Sequence, residues 1–211
     1  MFNLVPEKID RYIEGHYLET DKVLSEMEQY GMSRKFPLVG PQVGRLLFIL
    51  TKLVKASRVL EIGSGYGYSA YWFAKALPAS GKVVQTEYSK ENSDQARDFF
   101  TRGGLLKKTE LHTGDGLELI AKIGGPVDIL FLDLDKKSYA AALEKAKPLL
   151  KTGGLVIADN TLWSGQAADP SIKDEDTEGI RRFNKKLFSD PDFFTTILPV
   201  RDGVAVGLRI H

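Results

Sequence analysis

From Ser57 to Asp159 the chain repeats one pattern: a short apolar run, a turn rich in glycine or acids, then a stretch with apolar residues at helical spacing. The runs are RVLEI, KVVQTE, TELHTG, VDILFLD and GLVIAD, and the stretches between them include Tyr68–Leu77, Lys90–Arg102 and Ser138–Leu150. A strand followed by a helix rejoins its sheet through a right-handed crossover, so a series of such units predicts a parallel sheet with helices on both faces. After Asp159 the rhythm changes to a polar loop over 160–174, a helix near Glu175–Phe188 and two closing runs, FFTTILP and GVAVGLRI. Asp202-Gly203 between these runs is a turn signal, which makes the pair an antiparallel hairpin. The expectation is an α/β doubly wound, mostly parallel seven-stranded sheet with an antiparallel C-terminal hairpin strand.

Upstream, Pro6 to about Gln29 carries Ile9, Tyr12, Ile13, Tyr17, Val23, Leu24 and Met27 at mostly helical spacing, predicting one or two amphipathic helices. Gly31 and Pro37 then break the pattern, and Gln42–Lys55 reads as a further helix with an apolar face of Leu46, Leu47, Leu50, Leu53 and Val54. At 211 residues the chain is read as one domain, with residues 1–55 a helical cap on a 56–211 core. Lys plus Arg (29) nearly balance Asp plus Glu (28), which leaves no global electrostatic footprint for nucleic acid or an anionic membrane. The absence of cysteine excludes thiolate catalysis and Cys-based metal sites. MFNLVPEKIDRYIEGHY lacks the basic and apolar regions of a secretion signal and no run is long enough to span a membrane, so a cytoplasmic location is expected.

Glu61-Ile62-Gly63-Ser64-Gly65-Tyr66-Gly67 follows the first strand of the series and opens a helix. Such a turn brings backbone N–H groups close to a ligand at a helix N-terminus. A dinucleotide fingerprint would need a small residue at position 68, where Tyr68 stands; the third glycine is Gly67. That departure disfavours NAD and a dehydrogenase. Glu61 at the strand end suits a cationic ligand group better than a pyrophosphate, and S-adenosylmethionine carries an ammonium and a sulfonium. Roughly 20 residues beyond the glycines, Glu87 ends the next strand where ribose hydroxyls are usually bound. Asp115, within Gly114-Asp115-Gly116, follows the third strand and is placed to reach an adenine amino group. Each acid alone reads equally as a helix cap; the ordered set at three successive strand ends favours a nucleoside.

The fourth strand delivers Asp133, Asp135 and Lys136, and the fifth delivers Asp159 and Asn160. Carboxylates with an amide oxygen are hard ligands suited to Mg2+. Such an ion activates and orients a hydroxyl for in-line attack on a sulfonium methyl, with Lys136 placed to take the proton. Side-chain alternation alone leaves the choice between Asp133 and Asp135 open.

VLEIGSGYGYSA, FLDLDKKSY, GGLVIADNTLWSG and DGVAVG resemble the cation-dependent O-methyltransferases that include catechol and caffeoyl-CoA O-methyltransferases and short bacterial relatives, from about Val39 to Leu208. The resemblance implies a Rossmann-like fold and a homodimer. It assigns Glu61, Gly63, Ser69, Glu87, Gly114 and Asp115 to the methyl donor, with Asp133 and the Val39-Gly40 strip also against it. It assigns Asp133, not Asp135, with Asp159 and Asn160 to Mg2+ (or Mn2+ or Ca2+), and Lys136 to the general base. It points to a small phenolic, catechol-like acceptor near Trp163. A non-catalytic nucleoside-binding module is the reading from another class.

Tyr68, Tyr71 and Trp72 read as core, and Trp163, on a loop beside the metal residues, as an acceptor contact. His16, His112 and His211 show no ligand spacing. Arg181, Arg182, Lys185 and Lys186 share a helix at i, i+4 spacing and read as a solvated face. The alternative is a phosphate-contacting patch, because some bacterial relatives methylate hydroxyuridine in transfer RNA.

Overall fold

The computed structural model describes residues 5–18 and 20–211. Met1–Leu4, part of the segment read for a secretion signal, and Glu19 lie outside them. The strands are β1 (Arg58–Ile62), β2 (Lys82–Glu87), β3 (Thr109–Thr113), β4 (Val127–Leu132), β5 (Leu150–Ala158), β6 (Phe193–Leu198) and β7 (Val204–Arg209). The helices are α1 (Glu7–Glu14), α2 (Lys22–Arg34), α3 (Gly40–Leu53), α4 (Tyr68–Ala76), α5 (Lys90–Arg102), α6 (Gly116–Leu119), α7 (Tyr139–Ala146) and α8 (Glu175–Ser189). The expected α/β sheet of seven strands forms in the order β3-β2-β1-β4-β5-β7-β6. Only β7 runs against its neighbours, inserted between β5 and the edge strand β6. Among the described residues no helix is long and apolar enough to cross a membrane.

Strand burial explains the sequence pattern. In β1 and β4, flanked by strands and covered on both faces, nearly every side chain is buried, so they read as unbroken apolar runs. On one face Val59, Ile129, Phe131 and Ile157 pack beneath Val43 and Leu47 of α3 and Phe73 of α4. On the other, Leu60, Leu130, Leu132 and Val156 meet Leu143 of α7 and Ile180 and Phe183 of α8. Tyr71 and Trp72 are buried core residues, as expected; Tyr68 is buried too but also borders the cavity described below.

Two helix boundaries differ from expectation. Gly31 does not end its helix: α2 runs on to Arg34, because a Cβ at Gly31 would lie 2.3 Å from the Tyr66 Oη and 2.8 Å from Leu38 Cδ1. This glycine serves close packing rather than a turn. The Ser138–Leu150 stretch breaks into the 3-10 turn Lys136–Ser138, helix α7 and a second 3-10 turn at Lys147–Leu149, and Leu150 already pairs with Val127 in the sheet.

Strand order reverses between β1 and β4, both of which lead their chains to the same edge. Doubly wound sheets bind ligands beyond the strand ends at this switch point.

Candidate active site

Register carries the acids to that edge. Ile62, Leu132 and Ala158 are aligned across β1, β4 and β5, and the next backbone N–H groups continue the ladder, Asp133 to the Ile62 carbonyl at 3.0 Å and Asp159 to the Leu132 carbonyl at 3.2 Å. Gly63, Asp133 and Asp159 are therefore adjacent, bordering a cavity of about 790 Å³. Every residue assigned from the sequence except Glu61 and Gly40 lines this cavity: Val39, Gly63, Ser69, Glu87, Gly114, Asp115, Asp133, Lys136, Asp159, Asn160 and Trp163. Glu61 lies just beneath, fully buried.

The glycine turn is built for close approach. Gly63, Gly65 and Gly67 all have positive φ, and a Cβ at Gly63 would meet the Asp133 carbonyl oxygen at 2.2 Å. Helix α4 opens at Gly67 with no side-chain cap, which leaves its first N–H groups without a side-chain acceptor beside the cavity that Tyr68 and Ser69 line. Ser69, in its first turn, donates a hydrogen bond to Glu61 Oε1. Glu61 Oε2 has no hydrogen-bond partner, although the Ser64 hydroxyl is near enough to favour its ionised form.

Burial pushes the Glu61 carboxyl from an ordinary 4.5 up to about 8 against the opposing pull of the Ser69 and Ser64 hydroxyls, and the charges of Asp133 and Glu87 add to the rise. The folded chain thus keeps a proton that the unfolded chain has lost across this window, so stability falls as pH rises through it and levels beyond the upper value. The Glu61→Gln protein, free of ligand, should therefore gain on the parent between about pH 5 and about pH 9. Urea midpoints measured across that range should diverge; parallel midpoints would show that the carboxyl does not titrate there.

Glu87 is half-buried and fastens the turn, accepting from the Gly65 N–H at 2.9 Å, the Ser89 N–H at 2.8 Å and Asn92 Nδ2 at 3.1 Å. Asp115 caps α6, its Oδ1 accepting from Leu117 and Glu118 N–H groups at 2.8 and 3.1 Å. Both the cap and the cavity position hold for this residue.

At the other end, Lys136 is buried and donates from Nζ to Tyr139 Oη at 2.8 Å, to Asp133 Oδ1 at 3.2 Å and to the Leu134 carbonyl at 3.2 Å. Tyr139 passes the contact on, donating to the Asp159 carbonyl at 3.1 Å. Asp159 is buried, and its Oδ1 has no hydrogen-bond partner. Desolvation and then the facing Asp133 carboxylate raise its carboxyl well above the usual range, with Lys136 opposing. Asp135 is exposed and accepts from Ser138 Oγ at 2.6 Å, so the turn after β4 brings Asp133, and not Asp135, against Lys136 and Asp159. Among the described residues no three His, Asp or Glu side chains form a metal-holding group, so a cation here would need the Asn160 amide beside the two carboxylates. Two mutually repelling carboxylates, one with an unpartnered buried oxygen, fit such an ion.

The loop after β5 is strained. Asn160 (φ 55°), Trp163 (φ 48°) and Ser164 (φ 54°) all have left-handed backbones, followed by Gly165 at φ 79°. Left-handed φ is a genuine outlier for a residue as bulky as Trp163 and persists only where surroundings enforce it. Its ring centroid lies 5.6 Å from Lys136 Nζ.

A model of the O-methyltransferase family matches residues 15–210. This chain belongs to the O-methyltransferase family. Catechol O-methyltransferase of Niastella koreensis is 30% identical, with 99% of each chain covered. Caffeoyl-CoA O-methyltransferase 2 of Petunia hybrida is 33% identical over 79% of this chain and 74% of its own. The O-methyltransferase TomG from Streptomyces achromogenes, involved in tomaymycin synthesis and solved in complex with SAM, superimposes with a TM-score of 0.89 at 28% identity, over 100% of this chain and 97% of that one.

Three residues of this O-methyltransferase went unremarked in the sequence as parts of the site. Asp202, read as half of a turn signal, is buried and lines the cavity. Tyr139 bridges Lys136 and Asp159. Arg181 corrects an expectation: it does not belong to a solvated basic face but turns inward onto the loop carbonyls of Gln166, Ala167, Asp169 and Ile172. Of the other three cations, Lys186 is paired with Glu144 and only Arg182 and Lys185 are exposed. An arginine at helical spacing with lysines carries no local sign of facing inward; only the loop packed against α8 reveals it.

Proposed function

We propose that this O-methyltransferase transfers the methyl group of S-adenosylmethionine to one hydroxyl of a vicinal dihydroxy aromatic, using Lys136 as general base and a divalent cation at Asp133, Asp159 and Asn160. One observation carries the reading: two buried acids, at the ends of β1 and β5, each present an unpartnered oxygen, Glu61 Oε2 and Asp159 Oδ1, on either side of Asp133 at the end of the intervening β4. Buried polar groups are rarely left without partners, and we read each of these two acids as the place of a missing cationic group.

On the Glu61 side that group is the donor's ammonium, with the open N-terminus of α4 for its carboxylate, Glu87 for the ribose and Asp115 for the adenine. Val39 lines the wall, and Gly63, with no side chain, leaves room beside it. On the Asp159 side it is Mg2+, Mn2+ or Ca2+, which when bound would lower the pKa of the acceptor hydroxyl and orient it. Lys136, held against Asp133 and Tyr139, takes the hydroxyl proton as the neutral amine, having first released the proton of its resting ammonium to solvent. The oxygen then forms its bond to the methyl carbon as the carbon–sulfur bond breaks, leaving a methyl ether and S-adenosylhomocysteine. Trp163 offers a flat apolar surface to the acceptor ring.

The relatives support the acceptor class, being named for catechol and for caffeoyl-CoA. The basic patch that would favour hydroxyuridine in transfer RNA is smaller than the sequence suggests, because Arg181 is directed into the protein while Arg182 and Lys185 stay exposed. Purified protein should bind S-adenosylmethionine and not NAD in calorimetry, and should methylate catechol with Mg2+ but not after chelation. Turnover that persists in chelator would remove the cation from the mechanism. Retention of bulk transfer RNA that weakens steeply with salt would redirect the acceptor to RNA.

A further inference from the structure

Helix α8 grips the loop that carries Trp163. Arg181 donates from Nε to the Ala167 carbonyl at 3.0 Å, from Nη1 to the Ile172 carbonyl at 2.7 Å and Glu178 at 2.6 Å, and from Nη2 to the Gln166 carbonyl at 2.8 Å and to that of Asp169. One turn on, Asn184 Nδ2 donates to the Thr161 carbonyl at 2.8 Å. From the opposite side Asp202 accepts from the Ser164 N–H through its carboxylate and from the Leu162 N–H through its carbonyl at 3.0 Å, while the Gly203 carbonyl accepts from the Thr161 N–H at 2.9 Å.

These contacts bracket the left-handed residues 163–165, where a kink interrupts the 3-10 turns of Trp163–Ala168. The same helix rests on the base. A Cβ at Gly179 would fall 2.6 Å from the Lys136 carbonyl oxygen and 2.6 Å from Lys137 Cα, so the bare glycine lets α8 lie directly against the backbone of the Lys136 turn.

We propose that Arg181 and Asp202 are positioning residues that clamp the Asn160–Ala168 loop from two sides and so set the affinity for the acceptor, leaving the donor side untouched. This rests on the reading of the Trp163 end of the cavity as the acceptor site. A strained loop relaxes when its restraints go, and relaxation swings the Trp163 ring away from Lys136. The donor residues Glu61, Ser69 and Glu87 belong to β1, α4 and β2 and share no hydrogen bond with the clamp.

The test uses Arg181→Lys, which keeps the charge but loses the planar fork of donors, and Asp202→Ala beside the conservative Asp202→Asn, whose amide oxygen still accepts from Ser164. Arg181→Lys and Asp202→Ala are expected to raise the acceptor KM about tenfold or more, as loss of charge-assisted hydrogen bonds implies, with a smaller effect on kcat. Amide hydrogen exchange over 161–169 should quicken at least about tenfold while β4 and β5 stay protected. S-adenosylmethionine affinity should stay within about twofold, and Asp202→Asn should recover most of the KM. Unchanged loop exchange, or faster exchange with an unchanged acceptor KM, overturns the clamp. So does a matching loss of donor affinity and of β4 and β5 protection, which would mean general destabilisation. Wild-type inactivity on every diphenol would instead count against the acceptor class, since loop exchange and donor affinity are read without an acceptor.

Discussion

Replacing Lys136 with methionine should lower kcat on a catechol by roughly 10²- to 10⁴-fold, the span usual for loss of a positioned general base. Methionine keeps the unbranched stem that threads between Tyr139 and Trp163, so packing survives while the proton acceptor is removed. Calorimetric affinity for S-adenosylmethionine should be unchanged. Metal affinity should hold or rise, because the ammonium that opposes a cation at Asp133 and Asp159 is gone. Lys136→Arg should fail to rescue turnover, since a guanidinium does not give up its proton in the accessible pH range. The deficit should shrink as pH rises toward ionisation of the acceptor itself. A deficit independent of pH, with donor affinity lost alongside, would make Lys136 a structural residue rather than the base.

Asp159→Ala is expected to abolish metal-dependent turnover, with a loss of about 10³-fold or more, since Lewis-acid activation of an oxygen supplies several kcal/mol. Donor binding should survive because Glu61 and the glycine turn lie two strands further along, beyond β4. Asp159→Asn offers a second readout. In the ligand-free chain the Asp159 carboxyl is raised by burial and by Asp133, so the folded state holds a proton that the unfolded state releases. Its stability contribution therefore falls as pH rises from the ordinary carboxylate range toward the raised value. The asparagine variant lacks that decline and should be the more stable protein at mildly alkaline pH, yet inactive. Thermal unfolding with and without Mg2+ checks both halves, because added Mg2+ should stabilise the parent and leave the variant unmoved.

Much of the fold was legible because alternation of strand and helix is a local property. The helix Lys90–Arg102 has the expected bounds, opened by the Ser89 cap and closed before Gly103. The boundary at Gly31 was misread because a glycine needed for contact with Tyr66, far along the chain, looks the same in sequence as one needed for a turn. Strand ends were legible as the places where apolar runs give way to acids, which put Glu61, Glu87, Asp133 and Asp159 at one edge before any coordinates.

The sheet, the glycine turn and the set of acids at the strand ends are written in the local pattern, since they follow from periodicities of two and about 3.6 residues and from glycine's permitted backbone. The packed fold sets which acids act on one another. The chain leaves extended geometry after Leu132, and that turn pairs the exposed Asp135 with Ser138 at the cavity rim while Asp133 faces Asp159. The packed fold also sets Arg181 and Asp202 to hold the loop around Trp163. The side chains reach loop partners between nine and 38 residues away, on segments whose meeting depends on how α8 and the β6–β7 hairpin pack against the end of β5. Hydrogen bonds over such separations leave no periodic trace in a sequence, because nothing in the local pattern distinguishes a side chain that meets solvent from one that meets another segment.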